Sequence, residues 1–310
     1  MIIDRLIERV IECKNHTVVG LDPRIDYVPE FIREEAMAEA ENYAEGVAKA
    51  FFRFNKEIID QIEDIVPAVK PQIAFYEQYG LAGLRCFEET CRYAAQKGLV
   101  VIGDIKRGDI GSTAEAYSEA FIGGKEHSFK TDFITVNPYL GTDSLTPFIK
   151  DCQANEKGIF VLVKTSNKSS GDLQDLESGG KKIYEHVADL VNQLGAPYIG
   201  SHGYSFVGAV VGATYREEGA GLRSRMKNTY FLVPGYGAQG GTAEDAAVCF
   251  NKEGLGAIVN SSRGIIAAYQ SKEYGPIYAD IDFGTAAREA AVKMRDDINR
   301  ELAKQNKLAW

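Results

Sequence analysis

Little in this chain provides for metal or disulfide chemistry. Its five cysteines, Cys13, Cys86, Cys91, Cys152 and Cys249, are odd in number and show no C-x-x-C or metal-ligand spacing. They read as reduced thiols, not as a disulfide framework. The histidines, His16, His127, His186 and His202, have no paired spacing for a metal or a triad and read as structural or surface residues. The single tryptophan, Trp310, is the last residue, placed to dock on a neighbouring surface or to fray. No apolar run approaches the length of about 20 residues that a membrane span needs. The start, Met1–Val10, is charged throughout, the pattern of an amphipathic helix and not of a signal peptide. Positive charge is in deficit: 35 Lys and Arg against 44 Asp and Glu leave a net charge of −9. That argues against a nucleic-acid partner or an anionic membrane surface. It leaves room for a small phosphorylated substrate in a locally positive pocket. With 45% hydrophobic and 25% charged residues, the composition is that of an ordinary globular protein, and the expected location is the cytoplasm.

Short apolar runs alternate with longer amphipathic ones. The strand candidates are Thr17–Leu21, Ile65–Val69, Leu99–Ile105, Asp132–Val136, Gly158–Val163, Val207–Ala213, Tyr230–Val233 and Ala257–Asn260. Helical period appears over Ala36–Ile62, Glu77–Gln96, Ala114–Phe129, Ser144–Ala154, Lys181–Leu194, Glu217–Met226 and Ala243–Asn251, with a last helix near Gly284–Leu302. Tyr198-Ile199-Gly200 competes with Val207–Ala213 for the sixth strand, but the second run is longer and leads directly into a charged helical pattern. Strand then helix, repeated eight times over 310 residues, predicts a (β/α)₈ barrel. An open doubly wound sheet is the competitor, and the first strand is not followed by the G-x-G-x-x-G of its nucleotide-binding form. No linker-rich or low-complexity segment divides the chain, so residues 1–310 read as one barrel domain with added N-terminal and C-terminal helices.

The third strand carries the strongest chemical signal. Val100-Val101-Ile102-Gly103 runs into Asp104-Ile105-Lys106-Arg107-Gly108-Asp109, so charges fall at the C-terminal edge, where barrels keep their chemistry. On an extended backbone Asp104 and Lys106 point the same way, and clustered charges of this kind concentrate at functional sites. Other strand ends are polar too: Asp22-Pro23-Arg24, Lys70-Pro71-Gln72 and Lys164-Thr165-Ser166-Asn167. After the seventh strand comes the glycine-rich Pro234-Gly235-Tyr236-Gly237-Ala238-Gln239-Gly240-Gly241-Thr242, and after the eighth Ser261-Ser262-Arg263-Gly264. In barrels, these two loops often form a phosphate site, with glycines allowing close backbone approach and an arginine gripping phosphate oxygens. A loop of that length also suits a mobile lid.

Asp104-Ile105-Lys106-Arg107-Gly108-Asp109-Ile110-Gly111-Ser112-Thr113 resembles the signature of the orotidine 5'-phosphate decarboxylases, in particular their longer bacterial branch. Val19–Arg24, Val69–Glu77, Thr135–Gly141, Thr165–Asn167, Val207–Thr214 and Pro234–Gly241 match in family order across most of the chain. The resemblance implies a (β/α)₈ homodimer that converts orotidine 5'-monophosphate to uridine 5'-monophosphate and carbon dioxide, the last step of de novo pyrimidine nucleotide synthesis, with no cofactor and no metal. It implies that Lys106 gives a proton to C6, that Asp104 sits beside the substrate carboxylate, and that Lys70 holds Asp104 and contacts the ribose. Asp109, with Ile110 and Thr113, would reach into the partner subunit's site. Asp22 would bind ribose, Ser166 the pyrimidine edge, and Gln239 and Arg263 the phosphate. Two departures stand out: Gln72 replaces a more usual Asn, and Asn260-Ser261-Ser262 precedes Arg263 where the shorter branch has Gly. Two rivals remain. A metal-dependent relative uses a D-x-K-x-x-D run with magnesium, but it wants an acid where Lys70 stands. A catalytically silent nucleotide sensor would have no reason to keep Asp104, Lys106 and Asp109 together.

Overall fold

Mostly buried apolar runs become the strands of the computed structural model, which describes residues 1–237 and 240–310. Among the described residues, eight parallel strands close a barrel: β1 (Thr17–Leu21), β2 (Ala68–Pro71), β3 (Val100–Arg107), β4 (Phe133–Val136), β5 (Gly158–Lys164), β6 (Ser205–Val211), β7 (Thr229–Val233) and β8 (Ala257–Ser261). Each strand pairs with its neighbours in sequence, and β8 closes on β1. The registers Gly20↔Lys70 and Val18↔Asn260 bring the polar ends of β1, β2 and β8 to one rim. This is the (β/α)₈ barrel that the alternation predicts. Strand six is the Val207 run; Ile199 contributes only an isolated antiparallel bridge to Ser205.

The helices depart further from expectation. The pattern over Ala36–Ile62 divides into Glu30–Ala38 and Tyr43–Ile62, because Asn42 caps the second helix by accepting the Glu45 N–H at 3.1 Å. The pattern over Glu77–Gln96 divides at Gly80, whose φ of +61° suits a residue without Cβ, into Ala74–Glu77 and Gly80–Gln96. Ala114–Phe129 shortens to Gly111–Ile122, and Ala243–Asn251 to Ala243–Ala247. The loop after β5 is long and structured. It carries a turn at Lys168–Ser170, a helix at Gly171–Gln174 and a small hairpin pairing Glu177–Ser178 with Lys181–Lys182.

The added helices pack onto the barrel. Ile2–Cys13 buries Ile2, Ile3, Leu6, Ile7 and Val10, and Asp4 accepts the His202 N–H at 3.1 Å ahead of β6. Phe283–Lys304 lies against Tyr43–Ile62, with Phe54 and Phe283 stacked at 5.2 Å and Arg288 bonded to Asp64 at 2.5 Å. Between barrel and helices the core includes an aromatic group of Phe51, Tyr76 and Phe87. Tyr76 there donates to the Leu21 carbonyl at 3.0 Å and accepts from Asn55 at 2.9 Å. That chain of bonds anchors the end of β1, from which Asp22 projects. No helix among the described residues is long and apolar enough to cross a membrane.

Candidate active site

Every barrel strand, or for β1 the residue just after it, delivers a side chain to one cavity of about 540 Å³ at the C-terminal rim. Its polar wall is Asp22, Lys70, Gln72, Asp104, Lys106 and Thr135, and its apolar wall is Phe75, Leu162, Val210, Leu232 and Pro234. Thr165, Ser166, Asn167 and Asn260 complete it. A few convergent polar groups on an apolar lining, in a volume between roughly 300 and 1,000 Å³, are what small-molecule sites offer.

Asp104 is the hub. Its Oδ2 accepts from Lys70 Nζ at 2.8 Å and Gln72 Nε2 at 3.0 Å; its Oδ1 accepts from Lys106 Nζ at 2.6 Å and Thr135 Oγ1 at 2.8 Å. Burial by itself would raise the Asp104 carboxyl, but the charges of Lys70 and Lys106 outweigh it and hold the group well below the usual carboxylate range. Lys70 is almost wholly enclosed. Burial favours its neutral amine, and Asp104 together with Asp22, 3.9 Å away, reverses that and raises its pKa. The other Asp22 oxygen accepts from the Ser262 hydroxyl. Lys106 differs from Lys70 in access: its side chain is 46% exposed, against 6% for Lys70. One lysine is walled in, and the other faces the opening.

Lys106 does not reach Asp104 from a regular strand, as the two-residue spacing suggests. Its φ is +49°, in the left-handed region, which costs a residue with a Cβ on the order of 1–2 kcal/mol. The β3–β4 register breaks between Gly103 and Arg107, which oppose Ile134 and Val136. The irregularity therefore lengthens β3 locally and turns Lys106 inward. Thr135 Oγ1 accepts the Ile105 and Lys106 N–H groups at 3.0 and 2.9 Å while donating to Asp104. That hydroxyl uses its one proton and both lone pairs.

Of the residues singled out in the sequence, the cavity gathers Asp22, Lys70, Asp104, Lys106 and Ser166. It does not gather Asp109, Ile110 or Thr113. They sit at the start of the Gly111–Ile122 helix, with Ile110 53% exposed and Asp109 accepting the Ile110 N–H at 2.8 Å. Arg263 is exposed at the start of Arg263–Ile266 and is not part of the cavity lining. Gln239 lies outside the described residues. The flanking loop has left-handed glycines at Gly235, Gly237 and Gly240 and ends in a capping box between Thr242 and Asp245. Sequence reasoning assigned no role to Thr135, Gln72 or Asn260. Thr135 and Gln72 fall inside the matched motifs and Asn260 in the noted departure, so their positions carried a signal although their partners did not. Among the described residues no cluster of three His, Cys, Asp or Glu side chains could hold a metal ion.

Residues 19–275 match the family described as Orotidine 5'-phosphate decarboxylase / HUMPS. The orotidine 5'-phosphate decarboxylase of Petrotoga mobilis is 46% identical over 303 residues, covering 97% of this chain and 99% of that protein. That of Clostridium perfringens is 45% identical over 305 residues, covering 98% of this chain and 100% of its own. The structure of Leishmania donovani OMP decarboxylase superimposes with a TM-score of 0.72 at 31% identity, covering 97% of this chain and 98% of that one. On full-length similarity, on the closed barrel and on the lysine–aspartate cluster at its rim, the chain belongs to the orotidine 5'-phosphate decarboxylase / HUMPS family.

Proposed function

We propose that the chain decarboxylates orotidine 5'-monophosphate to uridine 5'-monophosphate and carbon dioxide, the closing step of pyrimidine nucleotide synthesis, without a cofactor, as one barrel domain in the cytoplasm. The observation that carries this reading is the exposed ammonium of Lys106, held 2.6 Å from Asp104 by a carboxylate that Lys70 also grips at 2.8 Å.

Breaking the bond from C6 to the carboxylate leaves an electron pair in the ring plane, where the π system cannot disperse it. A fixed ammonium there stabilises charge that exists only as the bond breaks, the kind of interaction that lowers a barrier and not merely a KM. Lys106 then gives its proton to C6 and becomes a neutral amine, which solvent reprotonates. Lysine suits the task because its charge is compact and its proton removable. Asp104, kept ionised by its two lysines, stands beside the departing carboxylate and disfavours the ground state. Lys70 holds Asp104 and contacts the ribose. Asp22, fixed by Ser262, takes a ribose hydroxyl, Ser166 the pyrimidine edge, and Gln239 and Arg263 the phosphate. Phosphate binding remote from C6 supplies energy for alignment of the reacting end. Asp109, Ile110 and Thr113 serve the cavity of a second copy in a homodimer, which fits their place outside their own cavity, with Ile110 and Thr113 exposed and Asp109 half-buried. The net charge of −9 supports a small-molecule partner and not a nucleic acid.

The test follows the loss of orotidylate absorbance with purified protein, a chelator present and no added cofactor. Turnover is expected in wild type and absent in Lys106→Ala, with affinity for uridine 5'-monophosphate retained. Turnover lost to the chelator would favour the metal-dependent relative, and normal turnover by Lys106→Ala would sink the assigned proton donor.

A further inference from the structure

Lys164, the last residue of β5, has no exposed side-chain surface, and the chemistry above makes no use of it. Its Nζ lies 2.7 Å from Asp175 Oδ1 and 3.4 Å from Ser170 Oγ, with the Tyr215 ring at 4.5 Å and the Tyr184 ring at 5.3 Å. Burying an ammonium is expensive unless it is paired and hydrogen-bonded, and a strand end offers no packing reason to prefer one over an aliphatic residue. What the pair accomplishes is local. Asp175 closes a loop back onto Lys164, and Gln174 beside it clamps the next residue, its Oε1 accepting the Thr165 N–H at 3.0 Å and its Nε2 donating to Thr165 Oγ1 at 2.8 Å. From the other side, Thr214 donates to the Ser166 carbonyl and Tyr215 to the Asn167 carbonyl, each at 3.1 Å. Gly212 leaves room for this segment, since a Cβ there would fall 2.8 Å from Ser166 Cα. Thr165, Ser166 and Asn167 are the part of this loop that lines the cavity.

We infer that Lys164 is a positioning residue: its fully buried ammonium, paired with Asp175 and near the Tyr184 and Tyr215 rings, sets the Thr165–Asn167 segment at the height at which it meets a nucleobase. This rests on the proposed reading of the cavity and adds to it a determinant of base recognition that never touches the substrate. The role predicts selectivity. Ligands with a base lose affinity when the post is removed, and ligands carrying only the sugar phosphate do not.

The experiment compares uridine 5'-monophosphate with ribose 5-phosphate by calorimetry, alongside steady-state kinetics and melting temperature. Lys164→Met keeps the stem and removes the charge. Its affinity for the nucleotide is expected to fall roughly tenfold or more, ribose 5-phosphate to stay within about twofold, and KM to rise more than kcat falls, as displacing a contact segment by a fraction of an ångström can do. If Lys164→Met does not fold, Asp175→Asn is used. Its position is one-third exposed, and a smaller loss with the same selectivity is expected. Equal weakening of both ligands, or of neither, would overturn the inference. Wild type that fails to bind uridine 5'-monophosphate at all would instead overturn the proposed function, so the two failures are distinguishable.

Discussion

His16 precedes β1 and is fully enclosed, with the Trp310 ring stacked on it at 4.9 Å and Phe250 edge-on at 4.7 Å. The terminal tryptophan is thus docked rather than frayed, on a histidine that the absence of paired spacing marked only as structural or surface. Burial pushes His16 from 6.5 down to about 3, so it is neutral in the folded protein. Between those values the unfolded chain carries a proton that the folded chain refuses. Stability present above the unfolded pKa is therefore lost as pH falls, by up to about 1.4 kcal/mol per pH unit. His16→Phe keeps a flat ring between Phe250 and Trp310 and removes the proton site. Urea unfolding at about pH 7 and about pH 5 should show wild type losing about 2 kcal/mol more than the variant over that interval. Equal losses in the two proteins would mean that the ring accepts its proton while folded.

At the level of elements, the strands were legible because parallel strands covered on both faces are continuously apolar. Thr17–Leu21 is read without error, and the other seven shift at their ends by a few residues. The helices were less so: Glu39-Ala40-Glu41-Asn42 continues a charged, helix-compatible composition, and only the capping geometry of Asn42 shows the break. The site divides in the same way. Lys70, Asp104 and Lys106 announce themselves as charges at strand ends, but the left-handed turn at Lys106 depends on a register slip between β3 and β4. Nothing within β3 encodes that slip; its support comes from Thr135 on the adjacent strand. Thr135→Val preserves shape and removes the hydroxyl, leaving the Ile105 and Lys106 N–H groups without their acceptor. A stability loss of about 1–3 kcal/mol is expected. So is a drop in kcat of roughly tenfold or more with KM little changed, because the ammonium is re-aimed while the binding walls stay. Thr135→Ser should recover most of kcat. Wild-type kcat in Thr135→Val would show that the turn holds itself.

At the scale of the whole molecule, one copy leaves Ile110, Tyr117, Tyr139 and Leu140 between 36% and 78% exposed on the loops and helix following β3 and β4. Exposed apolar side chains gathered in a patch mark association sites, and Asp109 and Thr113 belong to the same segment after β3 as Ile110 and Tyr117, outside their own cavity. If the proposed homodimer shares its sites, each cavity takes Lys106 from one copy and Asp109 from the other. Two inactive proteins should then repair each other. Lys106→Ala and Asp109→Ala would each be nearly silent alone. After mixing, unfolding and refolding together, random pairing makes about half of the dimers mixed, and a mixed dimer joins both lesions in one cavity and neither in the other. Recovered activity should therefore approach about a quarter of wild type and scale with the mixed fraction, which a charge difference between the two variants allows native electrophoresis to count. Activity that stays absent although mixed dimers are present would place Asp109 in its own copy's chemistry. Full activity in Asp109→Ala alone would remove it from the site altogether.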